Sequence, residues 1–221
     1  MLVGGIPLWV RLVSLAIGYC FGLILLGYIL GKLAHVDIRK EGSGNVGTTN
    51  AVRVLGAKAG LITLVFDISK AWMAAFVVWL IFHSTYTENI RLLMIYAAFG
   101  AVLGHDFPFY IGFKGGKGVA TGIAFFAIVV PVGIPVLVLE FIVIVVLTGY
   151  VSLGSIIGAV SAVIELFLFY GLGLLPYGEA DFGEIAVLTV IAALILIIKH
   201  RANIGRLLSG TENKFSLHKK T

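Results

Sequence analysis

The chain has very few charged residues. Aspartate, glutamate, lysine and arginine together make up 12% of its 221 residues, whereas apolar side chains make up 60%. A soluble domain of this length carries about a quarter charged residues, because its surface faces water. So few charges cannot cover a water-facing surface, and most of this surface therefore faces lipid. The composition excludes an ordinary soluble domain and predicts an integral membrane protein.

Cysteine is nearly absent as well. Cys20 is the only one, so no disulfide within the chain is possible and cysteine usage gives no information on the redox compartment. Histidine, cysteine and carboxylate residues form no group with the spacing of metal ligands. The sequence therefore predicts no metal site.

Long apolar runs predict the membrane spans, since a span takes about 20 apolar residues. Such runs cover 9–31, 59–82, 91–110, 119–149, 153–175 and 184–199. Asp67 and Lys70 interrupt the second run. The fourth is too long for one span, and Pro131, Gly133 and Pro135 at its middle predict a hairpin of two short helices.

The distribution of lysine and arginine orients the helices. Basic residues gather in 32–58, 114–117 and 199–220, and cytoplasmic segments are the basic ones in membrane proteins. All three lie on one side only if the chain crosses the membrane an even number of times between them, which favours two helices in 119–149. The predicted fold is all-α: a polytopic transmembrane bundle of seven helices, a single domain over 1–221, with the N-terminus outside and the C-terminus cytoplasmic.

Residues 42–50 read GSGNVGTTN, and the first six letters match the G-x-G-x-x-G of dinucleotide-binding folds. That fold needs a buried strand before the glycines and an acid about 20 residues on. The segment before Gly42, LAHVDIRKE, is short and charged, and Asp67, the acid at that distance, lies in an apolar helical run. The dinucleotide interpretation therefore fails on its context.

Residues 113–121, FKGGKGVAT, resemble a nucleotide P-loop but lack its spacing, since Gly118 follows Lys117. Glycines still let backbone N–H groups converge on an oxyanion, and a helix beginning near Val119 turns its positive end to the same place. We interpret this segment as an anion site; a flexible basic loop touching lipid headgroups is the alternative. The residues expected to hold the anion are Lys114, Gly115, Gly116, Lys117 and Gly118.

A third polar segment, HRANIGRLLSGTENK at 200–214, follows the last apolar run. The predicted topology brings all three polar segments to one side of the membrane. Their hydroxyls, amides, cations and single imidazole suit a ligand with several anionic oxygens and hydroxyls. The side chains are Ser43, Thr48, Thr49, Thr121, Asn45, Asn50, Asn203, Arg53, Lys70, Lys114, Lys117, Arg201, Arg206 and His200.

GSGNVGTTN, HDFPFYIGFKGGKGVAT and HRANIGRLLSGTENK, in this order and spacing, resemble the three signature motifs of the bacterial membrane-integral acyl-phosphate:glycerol-3-phosphate acyltransferases. The resemblance runs from the first helix to Lys214. It implies transfer of a fatty acyl group from acyl phosphate to the 1-hydroxyl of glycerol-3-phosphate, giving lysophosphatidic acid and phosphate in the first step of phospholipid synthesis. It also implies a multi-pass protein of the bacterial cytoplasmic (inner) membrane whose active site faces the cytoplasm.

The resemblance further implies the partners. These are acyl phosphate, glycerol-3-phosphate, membrane lipid and the enzyme that produces acyl phosphate, with no cofactor, metal or nucleic acid.

His35, His83 and His105 all lack the aspartate of the H-x-x-x-x-D pair found in many soluble acyltransferases. Thr48 stands where the family leads us to expect alanine, and Asp106 and Tyr110 are variant positions of the second motif.

The implied reaction gives the residues roles. Ser43, Asn45, Lys117, His200 and Asn203 are expected to carry the chemistry. The wider substrate contacts are expected from Gly42, Gly44, Asn50, Arg53, Lys70, Lys114, Gly115, Gly116, Gly118, Thr121, Ser155, Arg206 and Glu212. His200 is either a general base or a hydrogen-bonding positioner. Two further chemical hypotheses make the acyl phosphate's own oxygen the proton acceptor, or Ser43 a covalent nucleophile.

Two acids, Glu140 and Glu165, lie within apolar runs away from the predicted site. Intramembrane acids are functional suspects, but their distance from the site favours structural pairing, protonation or a subunit contact. An organic-phosphate transporter or channel is the alternative function, and it predicts mid-membrane charges between repeated halves. A scaffold whose basic loops bind anionic headgroups is a third possibility. The sequence has no internal repeat.

Overall fold

A computed structural model describes residues 2–3 and 5–214 of the protein. It divides into two compact units, the first ending at Phe125 and the second beginning at Phe126. The first unit contains β1 (Leu2–Val3), β2 (Ile6–Pro7), α1 (Leu8–Gly22), α2 (Leu26–Leu33), α3 (Thr48–Leu55), α4 (Ala57–Phe82), α5 (Ile90–Asp106) and a 3₁₀ turn (Phe109–Ile111). The boundary falls within α6 (Val119–Val129). The second unit contains a 3₁₀ turn (Pro131–Gly133), α7 (Ile134–Thr148), α8 (Val151–Gly171), α9 (Glu179–Lys199) and α10 (Arg201–Leu208). The single-domain organisation stays a prediction.

Within the described residues, six segments are long and apolar enough to cross a membrane. They are Leu8–Leu33, Ala57–Phe82, Ile90–Ile111, Pro131–Thr148, Val151–Gly171 and Glu179–Lys199. α6 is apolar but has only 11 residues. The predicted all-α, polytopic membrane class is confirmed, whereas the count of seven helices and the sides of the two termini stay predictions.

The predicted break within 119–149 is present. α6 ends at Val129, a single 3₁₀ turn follows, and α7 begins at Ile134. Pro131 and Pro135 occupy the first positions of the turn and of α7, where a missing N–H removes no helical hydrogen bond. The prolines therefore end one helix and start the next.

α4 runs without a break through the two charges that interrupt its apolar run. Asp67 Oδ1 and Lys70 Nζ are 2.8 Å apart, one helical turn from each other. Pairing removes much of the cost of burying each charge alone. The helix therefore continues where the charges alone suggested an interruption.

α1 and α5 pack backbone against backbone. Four glycines each face a carbonyl of the other helix that a Cβ would overlap: Gly18, Gly22, Gly100 and Gly104. Gly18 lies beside Ala97 and Gly22 beside Ala101, so the contacts advance in the same direction and the two helices are parallel. Small residues permit such close approach between membrane helices. The C-terminal ends of α1 and α5, and the polar loops that follow them, therefore lie at the same end of the first unit.

A break separates α1 from α2, and carbonyl groups at such a break lack helical partners. Lys70 Nζ donates to the carbonyls of Gly22 and Ile24 at 3.4 and 3.0 Å. The Tyr110 hydroxyl donates to the Leu23 carbonyl at 2.7 Å. Side chains from α4 and from the second motif therefore donate hydrogen bonds to the free carbonyl groups at the break.

Candidate active site

Asn50 holds the GSGNVGTTN loop together from inside. It is buried, and its Oδ1 accepts a hydrogen bond from the Ser43 N–H at 2.8 Å. Its Nδ2 donates to the carbonyls of Ile38 and Glu41 at 3.1 and 3.0 Å. Both amide protons are therefore committed to the loop itself. The polar atoms of Asn50 therefore shape the segment that carries Ser43, and its predicted substrate contact stays a prediction.

Glycine is required where this loop turns around Asn50. Gly42 has a φ of +60°, and a Cβ there would overlap Asn50 Oδ1. Gly44, two residues on, also has a positive φ, +71°. Thr48 begins α3, and its Oγ1 is buried with no hydrogen-bond partner among the described residues. Gly42 and Gly44 therefore allow the left-handed backbone turns of the loop.

Ser43 and Arg53 are exposed polar side chains of this loop region. The Arg53 side chain lies along Gly42, close to Ser43 in the chain. Asn45 is half-buried, and its Oδ1 accepts a hydrogen bond from the Gly47 N–H at 2.8 Å. A hydroxyl and a guanidinium are thus available to a ligand, whereas the Asn45 oxygen closes the turn that leads into α3.

A small apolar core underlies the loop. Leu25, Ile38, Val46 and Ala51 are buried together, and Ile111 from the second motif packs against them. The first and second motifs are therefore in contact within the first unit. This agrees with the parallel packing of α1 and α5, which places the loops after both helices at the same end.

The glycine loop, residues 114–118, wraps around the last turn of α5. The Gly115 N–H donates to the Asp106 carbonyl at 3.2 Å, and the Gly116 N–H donates to the His105 carbonyl at 2.9 Å. A Cβ at Gly115 would overlap the His105 carbonyl, and one at Gly116 would overlap the His105 imidazole. Both amides are thus hydrogen-bonded to the end of α5, and glycine is needed there for close packing. The predicted phosphate contact of Gly115 and Gly116 stays a prediction.

The N-terminus of α6 offers amides in their place. Gly122 is the first residue there whose N–H reaches back one turn, to the Gly118 carbonyl at 2.7 Å, and the earlier amides of a helix have no such partner. Thr121 is buried at this point with no hydrogen-bond partner for Oγ1 among the described residues. Lys117 is half-buried and Lys114 exposed just before the helix. Two lysines thus directly precede the N-terminal amides of α6 and the Thr121 hydroxyl, a combination that suits an anion.

Asp106 also lies at the start of α6. It is fully buried, and a Cβ added at Gly118 would lie 2.9 Å from Asp106 Oδ2. The positive φ of Gly118, +73°, fits this close approach. The protein's own carboxylate therefore borders the anion site. Sequence reasoning set Asp106 aside as a variant position, and only its place beside His105 in the second motif could have signalled this role.

Lys70 is fully buried and is not offered to solvent. Its Nζ lies 2.8 Å from Asp67 Oδ1 and 2.8 Å from His105 Nδ1, besides the carbonyls at the α1–α2 break. An ammonium group has three protons, and these contacts use them. These contacts give Lys70 a structural role, and its predicted phosphate contact stays a prediction. The one-turn spacing of Asp67 and Lys70 was the signal for this pair.

In the second unit, Glu212 is the centre of a polar cluster that we call the Glu212 clamp. Ser152 Oγ and Asn203 Nδ2 donate to Glu212 Oε1 at 2.9 and 2.7 Å, and Arg206 Nε donates to Oε2 at 2.6 Å. Charge-assisted bonds of this kind are the strong ones. The carboxylate therefore ties the segment after α10 to α8, and the predicted substrate contact of Glu212 stays a prediction.

The pKa of Glu212 reflects two opposing effects. Burial raises the pKa of this carboxyl, but the hydrogen bonds from Asn203, Ser152 and Arg206, together with the Arg206 charge, outweigh burial and lower it. Glu212 therefore stays ionised at neutral pH. The Arg206 side chain is 36% exposed, so its guanidinium is anchored on one side and faces solvent on the other.

His200 follows α9 and is buried, 3% exposed. Its Nδ1 lies 2.8 Å from the Leu196 carbonyl, an atom that only accepts, so Nδ1 carries the proton. In the neutral ring, Nε2 is then the acceptor atom. A backbone carbonyl thus orients this histidine, whereas Glu212, the acid nearest to it in sequence, is bonded to other residues.

Two further predicted positions of the second unit differ in accessibility. Ser155 is buried, and its hydroxyl donates to the Val151 carbonyl of its own helix at 2.9 Å. Its predicted substrate contact stays a prediction, and Ser152 is the α8 serine that joins the Glu212 clamp. Arg201 is exposed. Over the described ranges, 2–3 and 5–214, no three histidine, cysteine or acidic residues are grouped to hold a metal ion.

These observations define a multi-pass α-helical membrane protein with basic, amide-rich clusters suited to a phosphate-bearing ligand. A family model described as glycerol-3-phosphate acyltransferase matches residues 12–210. The chain therefore belongs to the glycerol-3-phosphate acyltransferase family.

Relatives and solved structures agree with this assignment. A glycerol-3-phosphate acyltransferase of Trichlorobacter lovleyi is 39% identical over 89% of this chain and 93% of its own length. One of Desulfotalea psychrophila is 40% identical over 90% and 95%. A crystal structure of PlsY (YgiH), an integral membrane glycerol 3-phosphate acyltransferase, in its glycerol 3-phosphate form has a TM-score of 0.79 at 32% identity, covering 93% of this chain and 96% of that one. Its lysophosphatidic acid form has a TM-score of 0.76 at the same identity, covering 94% and 96%.

Proposed function

We propose that this protein transfers a fatty acyl group from acyl phosphate to the 1-hydroxyl of glycerol-3-phosphate, forming lysophosphatidic acid and inorganic phosphate. The observation that carries the choice of donor is the half-buried Lys117 beside the N-terminal amides of α6. A compact cation next to helix N-terminal amides suits a terminal phosphate group. Membership of the family supports glycerol-3-phosphate as the acceptor.

The phosphate groups of the two substrates are assigned to different cations. Lys117 and the start of α6, with Thr121, hold the phosphate of acyl phosphate. Arg53 and Lys114, both exposed, hold that of glycerol-3-phosphate. Ser43, beside Arg53, orients the reacting hydroxyl or the acyl carbonyl, together with the amide nitrogen of Asn45. Binding two like-charged phosphates in fixed geometry is the main task of such a site.

The chemical step needs little acid catalysis, because acyl phosphate is a mixed anhydride with a good leaving group. The 1-hydroxyl oxygen attacks the acyl carbon, the bond from that carbon to the phosphate oxygen breaks, and phosphate leaves with the electron pair. His200 Nε2 accepts the hydroxyl proton, since the Leu196 carbonyl fixes the tautomer that makes Nε2 the acceptor. Hydrogen-bond donors directed at the acyl carbonyl oxygen would stabilise the negative charge that develops there.

Two other chemical courses are distinguishable from this one. The departing phosphate can take the proton itself, in which case His200 only positions a substrate. Ser43 can form an acyl ester first, in which case the acyl group would be found on Ser43 by mass spectrometry. We place the reaction at the cytoplasmic face of the bacterial inner membrane, on the basis of the basic loops, with the acyl-phosphate-producing enzyme as supplier.

Purified protein in detergent, given acyl phosphate and glycerol-3-phosphate, should release inorganic phosphate and form lysophosphatidic acid in equal amounts. Acyl-CoA in place of acyl phosphate should give no product. Folded protein that forms no product would overturn the proposal, and glycerol-3-phosphate uptake into proteoliposomes without turnover would favour a transporter. Turnover with acyl-CoA alone would overturn the donor assignment.

A further inference from the structure

Three polar side chains in the core of the first unit form a chain of contacts that the reaction above does not use. Asp67, Lys70 and His105 are each no more than 3% exposed. Lys70 Nζ lies 2.8 Å from Asp67 Oδ1 and 2.8 Å from His105 Nδ1, and the two partners are 3.5 Å from each other. We call these three residues the buried relay.

The buried relay is a costly way to stabilise a membrane helix. Well-packed apolar side chains in place of a buried ion pair are often as stable or more so. Ionisable residues within membrane helices commonly have functional roles. Closing the α1–α2 break accounts for the contacts of Lys70 with backbone carbonyls, but it does not account for His105.

Lys70 determines where the proton of His105 lies. An ammonium group has protons and no lone pair, so His105 Nδ1 must accept its hydrogen bond. In the neutral ring the proton is then on Nε2. Nε2 is also the atom that faces the glycine loop, because a Cβ at Gly116 would overlap it. The relay therefore presents an N–H group to the loop.

His105 contacts Gly116 in two ways. Its carbonyl accepts the Gly116 N–H at 2.9 Å, and its ring lies against the Gly116 Cα. Lys117 is the next residue. A shift of the His105 ring would therefore displace the backbone that carries Lys117.

We propose that the buried relay positions the glycine loop for phosphate: Lys70 fixes the His105 ring, and the ring fixes Gly116 and with it Lys117. This inference rests on the proposed function, in which Lys117 holds the phosphate of acyl phosphate. His105 acts here as a positioning residue that does not touch the reacting atoms. Asp67 holds the Lys70 ammonium in place.

The test compares His105→Ala, His105→Gln and the charge-balanced pair Asp67→Asn/Lys70→Met. His105→Ala should raise KM for acyl phosphate about tenfold, the equivalent of one 1.4 kcal/mol interaction, with kcat little changed. His105→Gln should recover part of the loss, because its amide can supply an N–H group near the position of Nε2. The pair should resemble His105→Ala, and combining all three changes should add nothing further, as expected for one coupled unit.

The control is Ser14→Ala, a buried polar change in α1 whose hydroxyl bonds the Val10 carbonyl of its own helix at 2.9 Å. It should alter thermal stability at most and leave KM unchanged. A second readout needs no turnover: inorganic phosphate should raise the thermal unfolding temperature of the wild type and of Ser14→Ala more than that of His105→Ala.

Folded His105→Ala with an unchanged KM for acyl phosphate and unchanged protection by phosphate would overturn the relay, even if Lys117→Ala is impaired. Wild type that forms no product would overturn the proposed function instead, and the phosphate-protection measurement would still decide the relay. If the Asp67→Asn/Lys70→Met pair does not fold, the comparison of His105→Ala with His105→Gln decides.

Discussion

Among the described residues two histidines are buried, one in each unit, and they are held in opposite ways. His105 Nδ1 accepts from the Lys70 ammonium, whereas His200 Nδ1 donates to the Leu196 carbonyl. In the neutral ring, Nε2 is therefore a donor in His105 and an acceptor in His200. In the roles proposed above, His105 is a positioning donor and His200 a proton acceptor, and the partner of Nδ1 distinguishes the two.

His200→Gln should have the largest effect on activity, because it removes the proposed proton acceptor. An amide cannot act as a base at neutral pH, so kcat should fall about 100- to 1,000-fold with KM little changed, within the usual range for a lost general base. His105→Gln, the matched change in the first unit, should affect KM instead. Steady-state kinetics on both purified variants check this. A kcat for His200→Gln within a few-fold of wild type would show that the substrate's phosphate takes the proton.

Glu212→Gln should reveal that the second unit depends on one carboxylate for its polar cluster. The charge-assisted bonds from Ser152, Asn203 and Arg206 would weaken, lowering the free energy of unfolding by about 1–3 kcal/mol. Glu179→Gln, an exposed change at the start of α9, is the matched control and should have almost no effect. Thermal unfolding in detergent measures both; equal unfolding temperatures would contradict the clamp.

The stability that the Glu212 carboxylate contributes should depend on pH. Its pKa in the folded state is lowered from the ordinary value of 4.5. The stability it contributes is therefore fully present above pH 4.5 and is lost as pH falls through the lowered pKa. The difference in unfolding temperature between wild type and Glu212→Gln should be constant from neutral pH down to this region and shrink below it. A difference that shrinks near neutral pH would contradict the assignment.

Glu165→Gln should have the smallest effect, in contrast to an acid of the first unit. Glu165 is buried, and neither oxygen has a hydrogen-bond partner in the described part of the chain, whereas Asp67 pairs with Lys70. Exchanging the Glu165 carboxyl for an amide breaks no hydrogen bond that the described residues show, so it should cost less stability than a change at Asp67. Asp67→Asn leaves a buried ammonium poorly paired and should cost about 3–5 kcal/mol. Unfolding temperatures of the two variants test this; a larger loss in Glu165→Gln would indicate a partner.

Hydropathy and proline placement were enough to predict the membrane class and the break between α6 and α7. Both depend on local sequence, since apolar length sets a span and proline removes an N–H. The roles of the glycines depended on tertiary contacts. Gly115 and Gly116 have the composition of an anion loop, but their amides bind the end of α5, and no pattern within the loop distinguishes the two uses.

Polar and charged side chains show the same limit of prediction from sequence. Lys70 looks like a cation available to a phosphate until its distances to Asp67 and His105 are known. Asn50 looks like a ligand amide until its protons are traced to Ile38 and Glu41. A side chain's type is visible in sequence, but whether its donors are already committed depends on long-range neighbours. Ser43, Arg53 and Lys117 keep their predicted roles as proposals.

The glycine contact between α1 and α5 has a consequence for biosynthesis. Gly18 and Gly22 fit against a helix that is synthesised only after α2, α3 and α4. When α1 first enters the bilayer, its most closely packed face has no protein partner and is covered by lipid. Membrane helices insert first and associate afterwards. Three further helices are therefore made before the closest neighbour of α1 exists. A bulky residue on that face would be harmless at insertion and harmful only at assembly.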